Sequence, residues 1–214
     1  MEFDIDKWLN LVIEKLKEDF KENLLFIGLQ GSYNRGEATP ESDIDLVVIL
    51  DNMTFENLKT YRLIIESMPQ NNKACGFISG KNEIQKWSKT DLFQFFYDTR
   101  TLFGNLEDII QPPDITDIKK SIKTSCESLY HSAIHSFVHS DDYVNDMKNL
   151  SKMTFFILQA KHFIETNNYI STKKQLFECL DGIDKEILDI CINIDTMETE
   201  KFYNKLITWC STNV

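Results

Sequence analysis

Residues 24–50 read LLFIGLQGSYNRGEATPESDIDLVVIL, and this stretch decides the fold of the N-terminal half. The apolar run Leu24–Leu29 ends before the pair Gly31-Ser32, and a second apolar run occupies Leu46–Leu50. Short apolar runs bounded by turn residues are typical of buried β-strands. The sequence therefore predicts two strands that flank a polar turn.

The turn between these strands carries residue types that suit a phosphate. Gly31 has access to backbone angles closed to other residues, and it allows a ligand to approach the main chain. Ser32 offers a hydroxyl, and the amides that follow it are placed to open a short helix. We interpret Gly31 and Ser32 as candidate phosphate-binding residues.

Two carboxylates stand at the start of the second strand. Asp43 and Asp45 are two residues apart, so strand periodicity directs both to one face and Ile44 to the other. Mg²⁺ takes one or two protein carboxylates and completes its shell with water and substrate phosphate. Without a cation, two close carboxylates would disfavour joint ionisation. A solvated strand start is the alternative, but with Gly31-Ser32 nearby we predict a magnesium site.

Charge and composition bound the class of partner. The 214-residue chain has 34 acidic and 23 basic residues, a net charge of -11, and 42% hydrophobic residues. A protein that grips a polynucleotide needs a basic track, so we expect no nucleic acid polymer as partner. An acidic surface instead tolerates a cationic small molecule.

Other features of the sequence bound its location. No apolar run approaches the roughly 20 residues that cross a bilayer, and the N-terminus is acidic rather than basic. The five cysteines are scattered and contain no Cys-x-x-Cys motif, so reduced thiols are expected. These features predict a cytoplasmic protein with no membrane partner, and they leave the oligomeric state open.

The remainder of the chain indicates a division near its centre. Asp4–Glu22 has the apolar spacing of an amphipathic helix, and residues 73–79 predict a third strand. Pro112-Pro113 disfavours helix on both sides of the junction. The residues that follow show no convincing strand, and their apolar spacing predicts helices over residues 114–138, 141–167, 172–180, 184–194 and 196–210.

One longer pattern resembles a known signature. Gly31-Ser32, ten intervening residues and Asp43-Ile44-Asp45, with Arg35 in the turn, resemble the signature of the DNA polymerase β-type nucleotidyltransferase superfamily. The resemblance implies that the Gly-Ser turn holds a nucleoside triphosphate (NTP) and that both aspartates bind Mg²⁺, with two ions expected. It also implies transfer of a nucleoside monophosphate to a hydroxyl. Arg35 is expected to add a charge-assisted phosphate contact, with pairing to Glu37 or Glu41 as its alternative.

The third strand departs from the superfamily pattern. Residues 74–79 resemble the corresponding stretch of streptomycin/spectinomycin adenylyltransferases, which carry a third carboxylate there, but the position falls near Cys75. Neutral cysteine does not replace a carboxylate as a Mg²⁺ ligand. Three explanations stay open. Glu83, Asp91 or Asp98 supplies the general base, the site works with two carboxylates, or the protein binds nucleotide without transferring it.

The helical half carries a looser resemblance. Residues 155–174 are similar to the C-terminal domain of aminoglycoside adenylyltransferases, and that likeness makes Lys161, Lys173 and Lys174 candidates to reach the triphosphate. We expect an α/β (α+β) domain with a small mixed sheet at residues 1–112. An all-α helical bundle at residues 113–214 is expected to form the other wall of the cleft.

The predicted function is metal-dependent transfer of a nucleoside monophosphate, AMP in the first instance, to a hydroxyl of a small molecule. An aminoglycoside-like antibiotic is the acceptor that the resemblance implies. The alternative is a catalytically weak, nucleotide-binding or antitoxin-like protein that lacks the third carboxylate. Transfer to a hydroxyl on a protein is a further option.

Overall fold

The computed structural model describes residues 3–213; Met1, Glu2 and Val214, at the ends of the two predicted domains, lie outside it. No helix in the described part of the chain combines the length and apolar character needed to cross a membrane. The strands are β1 (Leu24–Gln30), β2 (Ile44–Leu50), β3 (Ala74–Gly80) and β4 (Arg100–Phe103). The α-helices are α1 (Ile5–Phe20), α2 (Gly31–Arg35), α3 (Phe55–Glu66), α4 (Lys81–Ile84), α5 (Leu92–Tyr97), α6 (Ile115–His139), α7 (Tyr143–Thr166), α8 (Lys173–Cys179), α9 (Gly182–Ile192) and α10 (Thr199–Ser211).

The strands form one small mixed sheet in the order β3-β2-β1-β4. β1 pairs antiparallel with β2 and β4, and β2 pairs parallel with β3. The predicted mixed sheet and its first three strands are confirmed. Sequence analysis did not identify β4, because four residues at a sheet edge give too short a run for alternation to appear.

Helix α1 covers one face of this sheet. Asp4 caps its N-terminus by accepting a hydrogen bond from the backbone N–H of Lys7, and its apolar stripe includes the buried Val12 and Leu16. The stripe packs in one cluster with alternate residues of β2, namely Ile44, Leu46, Val48 and Leu50. Because side chains alternate along a strand, Asp45 belongs to the opposite face.

The chain forms two compact units. One contains the residues up to Ser88 together with Gln94–Pro112, and the other contains Lys89–Phe93 and the residues from Pro113 onward. We call them the sheet unit and the helical unit. Compactness does not show independent folding, so the boundary between residues 1–112 and 113–214 stays a prediction.

The helical unit begins its first long helix directly after the two prolines. Asp114 caps α6 and forms a capping box with Asp117. Helices α6, α7, α9 and α10 share one apolar core, which includes the fully buried Leu158, Leu188 and Leu206. Each such side chain stabilises the fold by about 1.5–3 kcal/mol.

Candidate functional site

The phosphate turn, which we define as Gln30–Arg35, lies directly against Asp45. β1 ends at Gln30, whose register partner on β2 is Asp45, and α2 begins at Gly31. Gly31 has a φ of +70°, and an ideal Cβ added to it would lie 1.9 Å from Oδ2 of Asp45. Any side chain there would therefore be strained and would collide with the carboxylate. Because Gly31 has no side chain, the turn can lie against the Asp45 carboxylate.

Asp43 and Asp45 supply a pair of oxygen donors at one end of β2. Asp43 is exposed and immediately precedes the strand, while Asp45 is half-buried. Ile44 between them is fully buried in the opposite cluster. Among residues 3–213 there is no group of three or more His, Cys, Asp or Glu side chains that could hold a metal ion. This donor set fits Mg²⁺, because that ion takes few protein ligands and leaves positions for water and phosphate.

The neighbouring strand β3 carries no carboxylate at the position that pairs with Asp45. Cys75 of β3 is the register partner of Asp45 and is exposed. Glu83 lies at the other end of β3, since its Oε2 would be 2.1 Å from a Cβ added to Gly80. Gly80 lies five positions beyond Cys75 along the strand, which is about 16 Å at the usual rise. Glu83 is therefore too far away to complete this site.

The Arg35 side chain is held by two carboxylates. Its Nη1 lies 2.6 Å from Oδ2 of Asp98, and its Nε donates to Oε2 of Glu37 at 3.2 Å. The Arg35 and Asp98 side chains are only 11% and 9% exposed. The predicted alternative, pairing with Glu37, is therefore observed, and Asp98 is a second partner. Asp98 is thus engaged by an arginine, which leaves it poorly suited to act as a general base.

The main chain and the side chain of Ser32 differ in their hydrogen bonding. The Ser32 carbonyl accepts hydrogen bonds from the backbone N–H groups of Gly36 and Glu37, which closes the turn after α2. Its hydroxyl has no hydrogen-bond partner within residues 3–213, and the residue is half-buried.

The lysines singled out in the helical unit have different surroundings. Lys161 is bound within that unit, with Nζ 2.7 Å from Oδ2 of Asp184 and 2.7 Å from Oδ1 of Asn213. Lys173 is the first residue of α8, and its Nζ lies 5.9 Å from the centre of the Phe155 ring. Lys161 is therefore part of the unit's own framework, while a nucleotide contact by Lys173 stays a prediction.

The sequence patterns missed the residues that support the turn. Gln30, Asn34 and Arg35 each donate a hydrogen bond to the segment Phe95–Thr99. These partners are more than 60 residues away along the chain. No local spacing signals such contacts. One signal could have indicated them: Asp98 follows the aromatic residues of α5, and a carboxylate buried among apolar groups needs a polar partner.

Comparison with known proteins gives the family and the fold of this chain. The family model described as a nucleotidyltransferase domain matches residues 9–125, which is more than half of the chain. No curated protein sequence matches. The crystal structure of spectinomycin adenyltransferase AAD(9) from Enterococcus faecialis, with ATP and spectinomycin, is similar with a TM-score of 0.58 and 16% identity. The alignment covers 97% of this chain and 98% of that one, and at this identity it shows the fold.

Two toxin–antitoxin structures also match, with TM-scores too low to support an argument. One, crystallised with AMP-PNP, is 19% identical with a TM-score of 0.35, and the match covers 62% of this chain and 95% of that one. The other, a mutant of MntA-HpeT, is 18% identical with a TM-score of 0.34 and coverage of 65% and 98%.

Proposed function

Because this chain belongs to the nucleotidyltransferase domain family, we propose that it transfers a nucleoside monophosphate from an NTP to a hydroxyl of a small molecule. We take the monophosphate to be AMP. The observation that carries the proposal is the contact between the Gly31 main chain and the Asp45 carboxylate, which leaves no room for a side chain. A main chain so close to a metal-binding carboxylate allows a triphosphate to bind both.

Each residue of the site has a distinct role in this proposal. Asp43 and Asp45 would hold Mg²⁺, two ions in our proposal, and bound Mg²⁺ stabilises charge on the attacking and leaving oxygens. Gly31 and Ser32 would hold the β- and γ-phosphates through main-chain N–H groups and the hydroxyl. Arg35 has five N–H donors, and its two carboxylate contacts leave others for phosphate. Lys173 is a further proposed phosphate contact, on resemblance alone.

The reaction itself needs positioning more than covalent chemistry. An acceptor hydroxyl oxygen attacks the α-phosphorus, a new P–O bond forms, and the bond to the bridging oxygen breaks as pyrophosphate leaves. The hydroxyl proton passes to solvent water. A phosphate turn fixed against Asp45 orients the α-phosphorus for this in-line attack.

A cationic antibiotic is the acceptor class that we propose. The chain carries a net charge of -11, which attracts cations. The crystal structure of the similar AAD(9) contains ATP and spectinomycin. Antibiotic resistance is the biological role that would follow, in the cytoplasm where ATP is abundant.

A second candidate function rests on Cys75. This exposed thiol stands opposite Asp45, where the resembling adenylyltransferases carry a carboxylate. A site with two carboxylates would bind a metal–triphosphate complex and lack a base for the acceptor hydroxyl. The second candidate is therefore a nucleotide-binding protein without transferase activity.

Pyrophosphate release tests the two candidates together. The purified protein is incubated with Mg²⁺, labelled ATP or GTP and a panel of aminocyclitol and aminoglycoside antibiotics. We expect release that needs an acceptor and falls at least about 100-fold in Asp45→Asn. The matched control, Glu41→Gln, changes an exposed carboxylate of the same loop and is expected to retain activity.

The alternative outcomes separate the candidates. Binding of MgATP without release on any acceptor, with release appearing in Cys75→Glu, supports the nucleotide-binding protein. Failure to bind any NTP contradicts both candidates.

A further inference from the structure

We propose that Asp98 is a positioning residue that holds the phosphate turn against Asp45. The inference deepens the proposed function and rests on it only where the turn is said to bind phosphate. We call Phe95–Thr99 the brace, because the three polar side chains that flank Gly31 and Ser32 all reach it.

The contacts between turn and brace are short and come from both sides of Gly31. Before the glycine, Nε2 of Gln30 donates to Oγ1 of Thr99 at 2.6 Å and to the carbonyl of Phe95 at 3.2 Å. After it, Nδ2 of Asn34 donates to the carbonyl of Asp98 at 2.7 Å. The Arg35 guanidinium reaches the Asp98 carboxylate at 2.6 Å. One residue, Asp98, therefore binds two consecutive side chains of α2.

The brace is itself fixed to the sheet. A Cβ added to Gly28 of β1 would lie 2.4 Å from Cγ2 of Thr99, so the brace lies directly on the strand that leads into the turn. The Phe95 ring makes an edge contact with Phe77 of β3, with ring centres 5.2 Å apart. The turn is thus attached to a segment that the sheet already holds.

The energetics favour a fixed turn over a mobile one. Asp98 is 6% exposed as a whole residue, so loss of its charge would leave Arg35 buried without its main partner. An arginine held by the carboxylates of Asp98 and Glu37 has few orientations left, and Asn34 next to it donates to the main-chain carbonyl of Asp98. Catalytic geometry is sensitive on this scale, since a displacement of about 1 Å costs roughly 10²-fold in rate.

Hydrogen exchange of the ligand-free protein tests the brace without relying on activity. We expect Asp98→Asn to exchange backbone amides of residues 31–36 at least tenfold faster, with helix α7 unchanged. Asn34→Ala removes one contact and leaves no buried charge, so it is expected to show a smaller increase in the same peptide. If Asp98→Asn does not fold, the Asn34→Ala variant still tests the proposal.

Kinetics separate positioning from general stability. In Asp98→Asn we expect KM for ATP to rise at least tenfold, with KM for the acceptor within about threefold of the wild type. Asp98→Glu is expected to recover part of the loss. The control Glu37→Gln removes the more exposed partner of Arg35 and should change KM for ATP less than threefold.

A double-mutant cycle identifies the pair as a unit. The combined Arg35→Gln and Asp98→Asn variant is expected to be no weaker in ATP affinity than the worse single variant. Unchanged exchange at residues 31–36 in both Asp98→Asn and Asn34→Ala, or fully additive losses in the cycle, overturns the proposal. If the wild type binds no MgATP, the proposed function fails, while the exchange data still decide whether the brace exists.

Discussion

Two ion pairs of similar geometry, one in each unit, have very different surroundings. Arg35 and Asp98 in the sheet unit are 2.6 Å apart, and Lys161 and Asp184 in the helical unit are 2.7 Å apart. Both pairs are largely buried, with side chains 9–11% and 20–21% exposed respectively. From the sequence, Arg35 and Lys161 were both candidates to contact a phosphate.

The neighbours of each pair distinguish its role. Asp184 also accepts a hydrogen bond from Nε1 of Trp209 at 2.7 Å, so its pair joins α7, α9 and α10. Every partner there is part of the helix packing. The pair formed by Arg35 and Asp98 instead holds the last residue of a turn whose Gly31 lies against the Asp45 carboxylate, which we propose as a metal ligand. Burial of an ion pair therefore does not mark function, whereas what the pair holds in place does.

The sharpest test of this contrast is Gly31→Ala. The new methyl would collide with Asp45 and occupy a φ of +70°, so the turn must move. We expect transferase activity to fall by roughly 10²-fold or more. The matched control is Gly36→Ala, which has the same φ of +70° but no heavy atom within 4 Å of the added Cβ. Equal losses in the two variants would contradict a role for the close contact.

Asp184→Asn should affect stability and leave nucleotide binding intact. Loss of the charge leaves Lys161 partly buried without its partner and weakens the Trp209 hydrogen bond, at about 2–3 kcal/mol. Urea unfolding followed by Trp209 fluorescence in a Trp8→Phe, Trp87→Phe background measures the loss. The control Asp195→Asn breaks an exposed pair with Lys148 and should cost under about 0.5 kcal/mol. A large loss of ATP affinity in Asp184→Asn would contradict the contrast.

As pH rises above neutrality, the helical unit should lose free energy of unfolding at a lower pH than the sheet unit. Burial raises the pKa of Cys126 and of Cys191 to about 11 and that of Cys210 to about 12. Unfolded thiols ionise near pH 8.5, so the stabilisation is complete below that pH and is lost as pH rises towards 11–12. In the sheet unit, burial raises the pKa of Tyr61 to about 12 from a starting value of 10.0. The stabilisation linked to Tyr61 is therefore lost only above about pH 10, which is higher than for the thiols.

Urea midpoints at pH 7.5 and 9.5, under reducing conditions, measure the difference between the units. Trp8 reports the sheet unit, where its indole donates to the carbonyl of Pro69, and Trp209 reports the helical unit. We expect the Trp209 midpoint to fall more than the Trp8 midpoint. A larger fall for Trp8 would contradict this assignment.

Thiol labelling is the test with the smallest expected effect. Within residues 3–213, Cys75 and Cys179 are exposed while the other three cysteines are buried, so two thiols per chain should react rapidly. Because Cys75 is the register partner of Asp45, MgATP should slow its labelling several-fold. Cys179 lies in the helical unit and serves as the internal control. Equal slowing at both thiols, or none at Cys75, would argue against nucleotide beside Asp45.

Local patterns predicted the centre of the site and not its support. The strands around Gly31 and Asp45 follow from apolar runs and turn residues only a few positions apart, and the structure confirms them. The partner of Arg35 lies 63 residues away, and no periodicity connects the two. The helices after Asp114 were close to their observed bounds, because long amphipathic segments carry the strongest signal.

Calorimetric titration of MgATP without any acceptor tests the central claim most directly. The account predicts binding that requires Mg²⁺ and weakens at least about 100-fold in Asp45→Asn, while Glu41→Gln binds as the wild type does. ATP binding of equal strength without Mg²⁺, or of equal strength in Asp45→Asn, would contradict a metal–triphosphate site at the phosphate turn.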